Sequence, residues 1–229
     1  MVRVVKSAEE RREEILGVAR ALFMRRGYDG TSVRDVIDAI GISKGAFYHH
    51  FDSKADLLVA LTEALADELT EQLSGLVDEP LDALAKLNAY FTMVEGFKAY
   101  RVGQLIDVAR AIYAPGNLVL RTTLHQQHVS HAAPILARVI AQGIDEGVFT
   151  SEDPELTALL TLRMGSHLKA DLMGPVVSGQ PLVAEDLLAR VDVFARHLER
   201  MLGAPADSIT IADRGFASAL AAASSGVRL

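Results

Sequence analysis

The sequence predicts an all-α protein with a small N-terminal helical domain followed by a larger helical body. Three observations lead to this fold class. Apolar residues recur at the helical spacing of three and four along almost the whole chain. No segment keeps the two-residue alternation of a half-buried strand. The N-terminal part also contains a helix, a glycine turn and a second short helix in close succession.

The composition is that of an ordinary globular protein. Of the 229 residues, 50% are hydrophobic and 23% are charged, which is enough for one large or two small domains. The absence of cysteine excludes disulfides, thiolate nucleophiles and Cys-based zinc sites. The charged N-terminus does not resemble a signal peptide, and no apolar run approaches the roughly 18 residues of a membrane span. We therefore expect a cytoplasmic protein without membrane contact.

The distribution of charge points to the N-terminal end as the part that could bind a nucleic acid. Residues 1–54 hold 10 Lys/Arg and 8 Asp/Glu, a net charge of +2, whereas residues 55–229 hold 13 and 22, a net charge of −9. Together they give the overall net charge of −7. The basic excess lies entirely at the N-terminal end, where DNA would bind if it binds at all.

Three helices are predicted before residue 54. The first ends at Gly27, and the second is capped by Thr31 or Ser32. Gly41 then supplies a residue that tolerates left-handed backbone, and Ser43 caps a third helix over residues 44–50. The apolar stripe of the first helix is Ile15, Val18, Ala19, Leu22 and Phe23, and that of the second is Val33, Val36, Ile37 and Ile40.

Six further helices are predicted in the rest of the chain, and Pro134 should kink one of them. The first of them begins at residue 53, and the other five cover residues 84–94, 102–113, 118–146, 154–173 and 183–202. Beyond Pro205 the chain is rich in Ala and Ser, and we expect partial disorder there, with a short helix near residues 214–223 as the alternative. The predicted domains are therefore 1–54 and 55–204, followed by a tail over 205–229.

The segment 31–51 has the pattern of a helix-turn-helix. Phe47 and Phe51 stand four residues apart and are expected to pack against the apolar side of the preceding helix. The other face of this short helix then stays free, and its size and neutral-to-basic chemistry suit the major groove of DNA. The residues on that face are Ser43, Lys44, Gly45, Tyr48 and His49. Lys54, just beyond, is expected to reach a phosphate as a mobile point charge.

Taken together, residues 11–58 resemble the DNA-binding domain of the TetR (tetracycline repressor) family. The resemblance covers about a fifth of the chain. The matching pattern is Ala21-Leu-Phe-x-x-x-Gly-Tyr-x-x-Thr-Ser-Val, then Gly41-Ile-Ser-Lys-Gly-x-Phe-Tyr-x-His-Phe51, then Ser53-Lys-x-x-Leu57. Such a long, well-spaced pattern is a strong motif, unlike a short isolated one.

The resemblance implies a set of DNA-binding residues. Tyr48, His50 and Lys54 would contact mainly the DNA backbone. Ala46 stands where some members of the family carry a longer, base-reaching side chain, whereas a methyl group contacts only a thymine methyl. Amides at helix N-terminal ends can also donate to phosphates. The full predicted set is Thr31, Ser32, Ser43, Lys44, Gly45, Tyr48, His49, His50 and Lys54.

The resemblance also implies that the larger domain binds a small molecule and forms a homodimer. Candidate pocket residues are aromatic or polar residues on apolar helix faces: Phe91, Phe97, Tyr100, Tyr113, His128, Met164 and His167. Each of them could instead be an ordinary core residue. The stripes on the last two helices either pair with their twofold copies or pack within one protomer. They are Leu156, Leu159, Leu160 and Met164, and then Leu187, Leu188, Val191, Phe194, Ala195 and Leu198.

Residues 122–131 are polar but contain no Asp, Glu, Lys or Arg, which suits a ligand cavity better than a solvated face. Three histidines in this segment, His125, His128 and His131, recur every third residue. They spread over about 120° of the helix, which is too wide for one metal ion. We predict no metal site and no cofactor, although two of the histidines with a carboxylate from another helix would still suit a metal-responsive regulator.

The functional hypothesis is a repressor that a small-molecule effector releases from a palindromic operator in double-stranded DNA. Residues 53–76 join the two parts and are the natural lever between them. The alternatives are an activator or a ligand-binding protein of the same fold. We do not expect the protein to be an enzyme, because the sequence has no nucleophile elbow or phosphate loop. The Ser-His neighbours at 130–131 and 166–167 also do not face each other on a helix.

Overall fold

The computed structural model describes residues 7–99, 112–113 and 118–225, and these ranges contain no strand. All-α architecture is thus confirmed. The helices are α1 (Ala8–Arg26), α2 (Val33–Ile40), α3 (Lys44–Tyr48), α4 (Lys54–Asp78), α5 (Ala83–Ala99), α6 (Leu118–Asp145), α7 (Pro154–Val177), α8 (Ala184–Leu202) and α9 (Arg214–Ser224). Of the helix predicted over residues 102–113, only residues 112–113 lie within the described part.

The chain divides into two compact units, Met1–Leu65 and Ala66–Leu229. The division falls within α4, later than the predicted boundary after residue 54. The reason is that Leu57, Ala60 and Leu61 belong to the core of the first unit, whereas Leu69 and Leu73 belong to the core of the second. One continuous helix therefore supplies apolar side chains to both cores.

The core of the first unit is made from the apolar stripes that the sequence predicts. Ile15 and Ala19 of α1 are fully buried, as is Phe47 of α3, and Val36 of α2 is nearly so. Phe51 follows α3 and is buried beside them, with its ring centroid 6.0 Å from that of Phe47. Burial of each such large apolar side chain contributes about 1.5–3 kcal/mol, so this core fixes how α3 lies on α1 and α2.

The second unit has its main core between α4, α5, α6, α7 and α8. Its most deeply buried side chains are Leu73, Leu87, Leu136, Ile140, Leu198 and Leu202. Pro134 lies inside α6 without ending it, since the helix continues to Asp145. At the end of α6, Phe149 packs so closely on Gly143 that a Cβ atom there would lie 2.0 Å from the ring.

The C-terminal segment differs from the expected disorder, because residues 205–225 are ordered and end in α9. The buried Glu199 carboxylate accepts hydrogen bonds from the amides of Ser208 (2.8 Å) and Ile209 (3.0 Å). The amide of Leu182 donates to Ser224 Oγ at 2.8 Å. Ala217 and Leu220 of α9 are buried in an apolar cluster with Leu182, Leu187 and Val191. The tail is ordered because buried contacts and satisfied amides compensate for its weak local signal.

The two long C-terminal helices use their apolar stripes differently. On α8, four residues of the predicted stripe pack within the protomer, namely Leu187, Val191, Ala195 and Leu198, whereas Leu188 and Phe194 are half-buried. On α7, Leu156, Leu160 and Met164 remain exposed, with 50%, 41% and 41% of their surface accessible. These three residues are spaced by four and therefore lie along one side of α7. We call them the α7 stripe.

Candidate nucleic-acid interface

The turn between α2 and α3 depends on a glycine in the left-handed region. Gly41 has φ 75° and ψ 34°, and its amide donates to the carbonyl of Ile37 at 2.9 Å. An L-residue in this conformation costs about 1–2 kcal/mol, which glycine avoids. The glycine therefore lets the chain leave α2 and start α3 after only three residues.

The short helix α3 is held by a cap at one end and by an aromatic anchor in its middle. Ser43 Oγ accepts a hydrogen bond from the amide of Ala46 at 3.1 Å. Phe47 points into the core and has no exposed surface. A five-residue helix has little stability of its own, so this packing, rather than propensity, gives α3 its shape.

The opposite side of α3 is open to solvent and forms what we call the α3 surface, made of Ser43, Lys44, Gly45, Tyr48 and His49. Tyr48 is 42% exposed, and the ammonium of Lys44 lies 5.7 Å from the centroid of its ring. The surface thus combines hydroxyl donors, one flexible cation and an imidazole. These groups can bind phosphate oxygens and the edges of bases.

His50 lies at the edge of the α3 surface and is half-buried. Burial lowers the pKa of its imidazole below the usual value of 6.5, and the neighbouring His49, Arg11 and Arg12 lower that pKa further. At neutral pH the ring is therefore uncharged. An uncharged His50 can donate a hydrogen bond to a phosphate but adds no positive charge of its own.

Lys54 does not have the mobile role that the sequence analysis assigns to it. Its ammonium donates to the carbonyl oxygens of Tyr28 (2.7 Å) and Thr31 (3.0 Å) and lies 4.0 Å from the centroid of the Tyr28 ring. Burial accordingly lowers the pKa of Lys54. The residue binds the loop between α1 and α2, because the carbonyls of that loop need a donor.

The two residues that precede α2 have different positions. Thr31 is buried, and its hydroxyl donates to the carbonyl of Gly27 at 2.9 Å, so its side chain faces the end of α1 and not the solvent. Ser32 is exposed and caps α2 in a capping box, in which its Oγ accepts from the Asp35 amide at 3.1 Å and its amide donates to Asp35 Oδ2 at 2.7 Å. Of the two, only Ser32 presents its side chain to a partner.

Arg34 was missed by the sequence analysis. Its side chain is 89% exposed in the first turn of α2 and lies 3.6 Å from Asp38. A cation in the first turn opposes the helix macrodipole. This exposed cation, which the predicted set does not include, is therefore a candidate for binding an external anion.

The predicted pocket residues lie in different surroundings. Phe91 is buried in the main core, and Tyr113 is half-buried beneath the guanidinium of Arg121, 5.7 Å from the ring centroid. His128 is half-buried, whereas Met164 and His167 are exposed. The side chains of Phe97 and Tyr100 lie outside the described part.

The histidines of residues 122–131 do not converge on one point. The His125 ring meets that of His167 with centroids 6.5 Å apart, and His131 Nδ1 lies 3.7 Å from Asp67 Oδ1. Within the described ranges, no group of three His, Asp or Glu residues is placed to hold a metal ion.

None of the described helices is both long enough and apolar enough to span a membrane.

The first unit matches a known family model. Residues 15–61 fit the model of bacterial regulatory proteins of the tetR family. This range contains α2, α3 and the start of α4. It therefore covers the α3 surface together with the loop that Lys54 binds.

Similarity to named repressors extends into the second unit. The chain is 32% identical over 167 residues to the HTH-type transcriptional repressor KstR2 of Mycobacterium tuberculosis strain H37Rv, covering 71% of this chain and 80% of the relative. It is 42% identical over 77 residues to the repressor AcnR of Corynebacterium diphtheriae, covering 33% and 40% of the two chains.

Solved structures share the fold. A TetR-family transcriptional regulator from Pectobacterium atrosepticum superposes with a TM-score of 0.57 at 25% identity, covering 87% of this chain and 96% of that one. Thermus thermophilus FadR, a TetR-family repressor in complex with lauroyl-CoA, superposes with a TM-score of 0.61 at 20% identity, covering 86% of this chain and 97% of that one. The second likeness concerns the fold alone.

Proposed function

The chain belongs to the TetR family of transcriptional regulators, and on that premise we propose that it is a homodimeric repressor of a palindromic operator. A small molecule bound in the second unit would release it from the DNA. The observation that carries the proposal is the α3 surface, whose polar groups face solvent while Phe47 fixes the opposite side in the core.

The polar residues of the first unit have distinct roles in this proposal. The α3 surface enters the major groove and reads base edges through Ser43 and His49. Lys44 and Tyr48 bind phosphates, and Arg34 binds a further phosphate from the first turn of α2. Lys54 acts as a positioning residue that holds the loop before α2.

The α7 stripe supports dimer formation. Three large apolar side chains along one side of a long helix are costly to leave in water, and Val193 on α8 is also 45% exposed. In the proposed dimer these residues pack against their twofold copies. Two copies of α3 would then read the two halves of a palindrome, because one short helix makes too few contacts for a specific site.

Release requires that the effector prefers one arrangement of the protein over another. The continuous helix α4 is the proposed lever, because it supplies residues to both cores. The solved FadR structure contains lauroyl-CoA, which supports the idea that a fold of this kind accommodates a small organic molecule.

The DNA half of the proposal is tested by fluorescence anisotropy with labelled fragments from the region upstream of the gene for this protein. The wild-type protein should bind one fragment with an affinity that falls steeply as salt increases, because phosphate contacts release counterions. The double variant Lys44→Ala/Tyr48→Ala should bind at least about 100-fold more weakly, since charged hydrogen bonds are lost in both protomers.

Arg214→Ala, at the exposed start of α9, is the matched control and should bind like the wild type. Unchanged binding by the double variant would overturn the assignment of the α3 surface. Binding that is indifferent to salt and to DNA sequence would overturn the proposed function itself. A reporter gene behind the bound fragment separates a repressor from an activator.

A further inference from the structure

A cation and two histidines of the first unit lie together between the beginning of α1 and the residues just after α3. Arg12 of α1 is half-buried, and its guanidinium carbon lies 5.2 Å from the centroid of the Phe51 ring. Phe51 is buried and directly follows His50, whose ring centroid lies 5.2 Å from that of His49. The core that holds Phe51 therefore places Arg12 and the two histidines in one small region beside the α3 surface.

Arg12 is held in place without an internal anion. Its neighbour Arg11 forms an ion pair with Glu14 on the same helix. Among the described residues, no carboxylate lies within 4.0 Å of the Arg12 guanidinium. The face of the Phe51 ring attracts the cation, and this contact needs none of the in-plane N–H donors of the guanidinium. Arg12 is therefore positioned by the core and can still donate hydrogen bonds to an external anion.

His50 is surrounded mainly by positive charge. Burial is the largest cause that lowers the pKa of its imidazole below the usual value of 6.5. The charged neighbours, in the order of their effect on this pKa, are His49, Arg11 and Arg12, which lower it further, and Glu9, which raises it by a smaller amount. A phosphate beside Arg12 would offset these cations and attract the protonated ring. An anion bound by the guanidinium would therefore also raise the pKa of His50.

We propose that Arg12 and His50 together bind one phosphate of the operator backbone and that His50 takes up a proton as they do so. The guanidinium supplies a permanent charge and a planar fork of donors, and the imidazolium donates a second charged hydrogen bond. Since a proton binds together with the DNA, operator affinity rises as the pH falls. The gain is complete below the pKa of His50 in the free protein and is lost as the pH rises through its pKa in the complex. This inference rests on the proposed function and adds to it a phosphate site outside the α3 surface.

Proton uptake is tested by fluorescence anisotropy with the operator fragment bound by the wild-type protein, at about pH 6 and about pH 8 and at constant salt. The wild type should bind at least about tenfold more tightly at the lower pH, because each of the two protomers binds a proton. His50→Gln keeps an N–H donor but takes up no proton, so its affinities at the two pH values should agree within about threefold. His131→Gln, the matched control in the second unit, should keep the wild-type difference.

The phosphate contact of Arg12 is tested by the salt dependence of the same binding reaction. Arg12→Gln should bind about 10–100-fold more weakly, and the slope of log K against log salt should become shallower by about 2, because each protomer loses one phosphate. Arg12→Lys keeps the charge and should keep the wild-type slope, as should Arg214→Gln at the exposed start of α9. Melting curves check that the variants are folded. If Arg12→Gln is not, Arg12→Met, which retains an apolar contact with Phe51, provides the same test.

The outcomes separate this site from the proposed function. Equal affinity of the wild type at the two pH values, or a wild-type pH dependence in His50→Gln, would overturn the proton uptake. An unchanged salt slope in the folded, uncharged variant of Arg12 would overturn the phosphate contact. In both cases the wild type still binds its operator, so the repressor function stands. Failure of the wild type to bind any fragment is a different result, which would overturn the proposed function and this site with it.

Discussion

At the scale of single residues, Lys54 shows how a charge near a DNA-binding surface can serve the fold itself. Its ammonium binds two carbonyls of the loop between α1 and α2 and lies against the ring of Tyr28. We expect Lys54→Met to lower the free energy of unfolding by about 1–3 kcal/mol, because two carbonyls lose their donor. Urea denaturation measures the change.

Lys44→Met is the control for this prediction, since Lys44 is exposed on the same unit. Its effect on stability should stay within about 0.5 kcal/mol, as is usual for surface changes. Equal stability of the two variants would show that the hydrogen bonds of Lys54 contribute nothing to the folded state.

His50 makes stability depend on pH. The folded-state pKa of this imidazole lies below the unfolded value of 6.5, so the unfolded chain binds more protons in that range. The contribution of His50 to the free energy of unfolding should therefore fall as the pH drops through and below about 6.5. His50→Gln should show a smaller loss of stability between neutral and mildly acidic pH, measured by urea unfolding. Identical pH profiles would contradict this explanation.

At the scale of elements, the end of α6 depends on a close contact between a glycine and an aromatic ring. A Cβ at Gly143 would lie 2.0 Å from Phe149, whereas a Cβ at Gly75 within α4 would meet nothing within 4 Å. Gly143→Ala should therefore destabilise the protein by about 1–3 kcal/mol through overpacking. Gly75→Ala, the matched control, should stabilise it by up to about 1 kcal/mol. Thermal unfolding distinguishes these opposite signs, and a stabilised Gly143→Ala would contradict the packing.

At the scale of the whole molecule, the α7 stripe links assembly to DNA binding in the proposed function. Leu160→Arg places a charge in the middle of this stripe and should convert the dimer to a monomer, because a buried unpaired charge is strongly unfavourable. Analytical ultracentrifugation measures the assembly, and operator binding should weaken in parallel. Leu81→Arg, at another exposed leucine, should stay dimeric. A dimeric Leu160→Arg would place the interface elsewhere.

Local patterns predicted most of the first unit correctly. The apolar stripes of α1 and α2, the turn at Gly41, the cap at Ser43 and the buried pair Phe47 and Phe51 all depend on neighbours close in the sequence. The internal contacts of Thr31 and Lys54 were not predicted, for one shared reason. Both side chains bind backbone carbonyls of residues 22–31, and the Lys54 contacts span 23 and 26 residues of chain, which no local pattern reveals.

Of the two predictions for the C-terminal segment, the short helix near residues 214–223 coincides with α9, whereas the preferred partial disorder does not fit contacts that are distant in the sequence. Asn88 donates to the carbonyl of Ser208 and accepts from the amide of Thr210, both at 2.8 Å and about 120 residues away along the chain. A segment rich in Ala and Ser carries a weak apolar pattern, so the sequence could not decide between this helix and partial disorder. Its order comes from the partners that the rest of the unit provides.

By itself the sequence determined the helical architecture, the helix-turn-helix and the face of α3 that stays in solvent, because periodicity, caps and left-handed glycines act over a few residues. Only the tertiary structure decided which polar groups are free and which are used internally. It assigned Lys54 to a loop, buried Thr31, ordered α9, left the α7 stripe exposed and brought His125 beside His167. The physical reason is that a hydrogen bond or an ion pair needs its partner in space, and burial of apolar surface throughout the unit sets that position.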